Sequence, residues 1–143
     1  MTPLRPWMRL VLRFAGCFNL LAGISMVCFV HEGYKMLDVP KPELKLPVQV
    51  MGILVALFGV GYHLVASHPV ENRNILVLGF WSKALASILA LAYVAGIFSP
   101  QLPWWFAVVV FFADVIYLPP FYVIIRHLAS GASGERSRGN SVR

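Results

Sequence analysis

Four stretches of this 143-residue chain are long, apolar and almost free of charge: residues 8–30, 46–66, 75–98 and 104–125. Each is near the roughly 20 residues that a helix needs to cross ~30 Å of hydrocarbon. Backbone inside hydrocarbon finds no water to bond, so each stretch is expected as a helix, whose amides and carbonyls satisfy one another. Composition points the same way. Hydrophobic residues make up 59% of the chain and charged residues 13%. Soluble domains run nearer 45–50% and about 25%, and a bilayer absorbs that excess where one soluble core does not. The expected fold is an all-α membrane protein, an antiparallel four-transmembrane-helix bundle over residues 1–129, with a disordered, basic tail at 130–143. No small-residue cleavage site follows Val30, so the first run reads as a retained anchor rather than a removed signal.

The segments between the runs are polar. "HEGYKMLDVPKPELK" carries charges and two prolines and must lie outside the hydrocarbon. "SHPVENRN" is a short turn in which Asn72 or Asn74 can cap the third long helix. "SPQLP" is a tight turn ahead of the interfacial pair Trp104-Trp105.

Basic residues divide unevenly between the two sides. Arg5, Arg9, Arg13, Arg73, Arg126, Arg136, Arg138 and Arg143 fall on one side. Lys35, Lys41 and Lys45 fall on the other, offset by Glu32, Asp38 and Glu43. The excess of Lys and Arg marks the cytoplasmic side, which puts both termini of this multi-pass chain in the cytoplasm. The formal charge of +6 flanks apolar runs instead of covering one compact soluble face, which argues against a nucleic-acid partner.

Lipid is as apolar as leucine, so membrane helices associate through small residues and a few polar ones. The first run offers Ala15, Asn19, Ala22 and Gly23; the second, Gly52, Ala56, Gly59, His63 and Ala66; the third, Gly79, Lys83, Ala86, Ser87 and Ala90; the fourth, Ala107, Asp114, Tyr117 and Phe121. The glycines Gly16, Gly23, Gly52, Gly59 and Gly79 are the candidate packing positions. Asn19, Lys83, Asp114 and Tyr117 form a candidate polar centre. At 1.5 Å per residue, Asn19 and Asp114 lie roughly 16 Å from the cytoplasmic ends of their runs and Lys83 roughly 12 Å.

A charge at mid-membrane costs about 2.5–3.5 kcal/mol on insertion scales, so Lys83 needs an account. It can form a structural ion pair with Asp114. It can serve a proton relay or clamp a polar ligand group. It can also snorkel toward the interface. Pro119 and Pro120 remove two helix donors within the fourth run, so a kink is expected, either as a bend that fits the bundle or as a hinge near the polar centre. His63 and His127 are possible cytoplasmic-side histidines, suited to headgroup or neighbour contacts; a pair facing across the bundle could hold haem. Cys17 and Cys28 sit about 16 Å apart on one helix, too far for a disulfide within it. No metal site, zinc-protease motif, phosphate loop or nucleophile elbow occurs, so no catalytic residue and no resident cofactor are expected, with haem or quinone kept as alternatives.

The segment "GVGYHLVASHPVENRNILVLGFWSK" resembles a pattern from small bacterial four-helix membrane proteins that are DoxX-like at the coarsest level. It carries Gly59, Gly61, Tyr62, Ala66, Pro69, Gly79 and Lys83, and a later Asp114, Tyr117 and Phe121 also fit. The resemblance implies the four-helix architecture and the pairing of Gly-x-x-x-Lys with Asp. Because families of this kind are sometimes linked to quinone or thiol redox systems, it also implies a quinone-linked redox subunit as one reading.

The expected function is a non-enzymatic accessory or assembly subunit of a larger membrane complex, with the bilayer and other membrane subunits or a second copy as partners. The alternatives are a small proton-coupled transporter or ligand carrier using Lys83 and Asp114, and the DoxX-like redox subunit.

Overall fold

The computed structural model describes residues 4–36, 38–99 and 101–140, and for 131–140 it describes the backbone alone. The described residues are helical or irregular and include no strand. The helices are α1 (Pro6–Cys28), α2 (Val30–Met36), α3 (Leu46–Ser67), α4 (Arg73–Val94), α5 (Phe106–Ala113) and α6 (Leu118–Asn140), with a 3-10 turn at Val115–Tyr117 between the last two. Four helical stretches are long and apolar enough to cross a membrane: Pro6–Cys28, Leu46–Ser67, Arg73–Val94 and Phe106–Ser130. Between 22% and 33% of the apolar window in each is buried within the chain, so most of each faces outward. Leu10, Leu21, Leu57, Leu78, Leu85 and Ile88 are all more than half exposed. An apolar surface that extensive belongs against lipid or other protein.

Local chemistry sets the helix ends. Pro6 and Pro47 stand in the first turns of α1 and α3, where proline is tolerated because that N–H has no helical acceptor. The first long helix stops at Cys28, since Phe29 leaves the helical region (φ −120°, ψ 42°). α2 then carries the chain out of it. Asn72 precedes α4, but its side-chain amide donates to the His68 carbonyl at 3.0 Å and makes no cap bond to α4. The expected capping role is therefore replaced by closure of the turn. The third span ends at Val94 rather than 98 because Gly96 takes φ +75°. The Gly96 N–H bonds the Tyr93 carbonyl and the Ile97 N–H bonds the Ala92 carbonyl. This is a Schellman termination, which glycine adopts at low cost. Gln101 Nε2 donates to the Val94 carbonyl at 3.1 Å. The tail read as 130–143 runs on as backbone helix to Asn140, and 141–143 lie outside the described residues.

The closest packing joins α1 to α3 through four glycines. Gly16 and Gly23 are seven residues apart, as are Gly52 and Gly59. A Cβ on Gly59 would stand 2.8 Å from the Gly16 carbonyl oxygen, and one on Gly52 would stand 2.7 Å from the Gly23 carbonyl oxygen. Backbone therefore meets backbone at both levels. Gly16 lies against Gly59 and His63, and Gly23 against Gly52 and Ala56, so the partners descend along α3 as they rise along α1. Gln49 Nε2 donates to the Val27 carbonyl at 3.3 Å near the far end of the pair. The buried apolar cluster sits toward the other end. It gathers Leu4 ahead of α1, Met8 and Leu12 of α1, Tyr62 and Val65 of α3, Leu76 of α4, and Phe121, Ile124 and Leu128 of α6.

Candidate functional site

Lys83 stands at the middle of α4, ten residues after Arg73 and eleven before Val94. Its side chain is 7% exposed. A helix side chain at that depth can reach only groups on packed neighbours, and the neighbour here is an interrupted helix. α5 ends at Ala113, Asp114 leaves the helical region (φ −131°, ψ −56°), and the 3-10 turn follows. In that turn the Tyr117 N–H bonds the Asp114 carbonyl at 3.1 Å, one residue later than an α-helix would have it. The Ala113 carbonyl accepts from Lys83 Nζ at 2.8 Å. The same ammonium donates to Asp114 Oδ1 at 2.7 Å and lies 5.1 Å from the centroid of the Tyr117 ring.

The arrangement has three attractive components. The ion pair neutralises two groups that are costly in hydrocarbon. The ammonium also caps the C-terminal end of α5, where unsatisfied carbonyls concentrate negative partial charge. The Tyr117 face adds a cation–π contact. The Asp114 side chain is 25% exposed, so the carboxylate is the open side of the pair and the lysine the closed one.

Pro119 and Pro120 fall in the first turn of α6, where their missing N–H groups do least harm. The interruption lies ahead of them, at 114–117. The Val115 carbonyl, which Pro119 cannot engage, is taken by the Leu118 N–H. Gly79, one turn before Lys83, lies under Tyr62 of α3, whose hydroxyl and ring edge fill the space that a Cβ would take. Tyr62 is 1% exposed and meets Phe121 edge-on, with centroids 4.9 Å apart. Phe121 contacts Tyr117, and Tyr117 contacts Phe18. An aromatic row thus links α3 through α6 to α1 beside the lysine.

The predicted polar centre is therefore assembled from Lys83, Asp114 and Tyr117. Asn19 is buried at 5% exposure, yet among the described residues it makes no hydrogen bond to Lys83 or Asp114. Ser87, one turn beyond the lysine, is buried with no hydrogen-bond partner for its hydroxyl. His63 lies 3.8 Å from Cys17 Sγ, whereas His127 lines a cleft with Arg5 and Arg126 at the start of α1. Both cysteines are free. Among the described residues no group of three or more His, Cys, Asp or Glu side chains could hold a metal ion.

Two contacts escaped the sequence reading. One is the Ala113 carbonyl as the second acceptor of Lys83. The other is Tyr62 as the group that requires glycine at 79. The Gly-Tyr of "GVGY" and the Gly of "GFWSK" carried a signal for the second, since a large ring often packs on a glycine of the next helix. Nothing signals the first, because every residue has a carbonyl. Comparison of the chain with protein-family models, with curated proteins and with solved structures finds no match.

Proposed function

We propose that the four long helices cross the bilayer as an antiparallel bundle with both termini cytoplasmic. In this reading the chain is a non-enzymatic accessory or assembly subunit of a larger membrane complex. The observation that carries it is the closed state of Lys83, whose ammonium is spent on Asp114 and on the Ala113 carbonyl. A side chain so engaged fixes the register of α4 against an interrupted helix. The outward-facing leucines and isoleucines supply surface for lipid and for neighbouring subunits. The gathering of Arg5 and Arg126 at one end of the molecule supports the orientation.

Single cysteines in a Cys17→Ser, Cys28→Ser background test this reading. In sealed inside-out vesicles a membrane-impermeant maleimide should label His68→Cys and leave Lys41→Cys and Ser87→Cys unlabelled. Labelling of His68→Cys and Lys41→Cys from the same face sinks the orientation. Purification in mild detergent should retain a membrane partner or a second copy, and recovery of a lone monomer overturns the subunit role.

The partial exposure of Asp114 favours a second reading, a small proton-coupled transporter or ligand carrier using the Lys83–Asp114 pair. Rapid labelling of Ser87→Cys would support it, because a carrier needs water to reach that level.

A further inference from the structure

The starts of α1 and the stretch 122–130 of α6 enclose a cleft of about 570 Å³. We propose that this cleft binds the phosphate of an anionic phospholipid headgroup. Two guanidinium groups line it, Arg5 from the residue ahead of α1 and Arg126 from α6. Guanidinium forks match phosphate oxygens two at a time, which an ammonium cannot do. Arg126 is held in place by its position 5.9 Å from the Tyr122 ring centroid. Among the described residues no carboxylate pairs with either arginine, and no acidic residue stands in the first turn of α1. Both charges are thus left without a counter-ion among the described residues.

The rest of the lining selects a lipid as the source of the phosphate. Trp7 and Tyr122 are partly exposed and flank the cleft, as amphipathic rings do at headgroup level. Met8 forms an apolar, buried wall, suited to the glycerol and upper acyl carbons. Ser130 adds a hydroxyl at the rim. This inference rests on the orientation proposed above, which makes this end cytoplasmic, and basic clefts between spans on that side are sites where anionic headgroups collect. A zwitterionic lipid would bring its own cation against the two guanidiniums, so net negative charge is the required property.

Native mass spectrometry of the full chain, released from mixed phosphatidylglycerol and phosphatidylcholine, tests the proposal. The wild type should retain phosphatidylglycerol preferentially. Arg5→Gln with Arg126→Gln should lower that preference roughly 25-fold, at about fivefold per arginine. Arg9→Gln with Arg13→Gln, exposed on the same helix but outside the cleft, should leave it nearly unchanged. Equal loss in both pairs means diffuse attraction to the basic end and overturns the site. Absence of any preference in the wild type overturns it outright. Displacement of the lipid by millimolar glycerol 3-phosphate would make a soluble phosphate the ligand and overturn the lipid assignment. If the double variant fails to fold, the single variants Arg5→Gln and Arg126→Gln make the same comparison, each at about fivefold.

Discussion

Lys83 Nζ lies 2.7 Å from Asp114 Oδ1 and 2.8 Å from the carbonyl oxygen of the preceding Ala113, so one ammonium holds a carboxylate and the end of a half-helix together. Lys83→Met should cost about 3–5 kcal/mol, the usual loss when one partner of a buried pair is removed. The exchange Lys83→Asp with Asp114→Lys should fail to restore stability. It would recreate the opposite charges but set a carboxylate against the Ala113 carbonyl. Thermal unfolding in detergent measures both, and full rescue by the exchange would mean that the helix-capping bond contributes nothing.

The seam between α1 and α3 makes a second claim. Gly52→Ala and Gly59→Ala should each destabilise by about 1–3 kcal/mol, because the added methyl meets backbone that cannot rotate away. Gly33→Ala meets nothing within 4 Å and should be neutral or slightly stabilising. Unfolding midpoints of the three variants give the comparison; equal values would remove the argument for close approach.

Gly79 and Tyr62 should be energetically coupled. Gly79→Ala forces the Tyr62 ring out of its place, so its cost should fall by about 1 kcal/mol or more when Tyr62 is already Leu, in the range that contacting residues show. A double-mutant cycle with additive costs would show that the ring and the glycine do not constrain each other.

The sequence announced the spans because membrane length and backbone satisfaction leave few alternatives. It also brought Lys83 and Asp114 to one level, since depth along a helix follows from counting residues. The ends were less legible. Gly96 signals a left-handed termination, but an apolar count runs past it to Phe98. Pro119 and Pro120 announced an irregularity, while its location at 114–117 depends on which donors and acceptors re-pair once two N–H groups are missing. The register of α1 on α3 rests on glycines seven residues apart, a spacing visible in the chain but meaningful only when two helices carry it in opposite directions. Asn19 shows the limit of depth arguments, because equal depth does not fix the direction in which a side chain points around its helix.

The 31-residue separation of Lys83 from Asp114 also sets an order of events during synthesis. At about 5–20 residues per second, the lysine leaves the ribosome roughly 2–6 s before its carboxylate partner does. Through that interval the third span must be held by the insertion machinery or by the glycine seam of the first two. A chain stopped after Pro103 should therefore be retained in the membrane poorly, and Lys83→Leu should restore its retention in a fractionation assay. The final hairpin then acts as the step that commits the nascent chain to the bilayer.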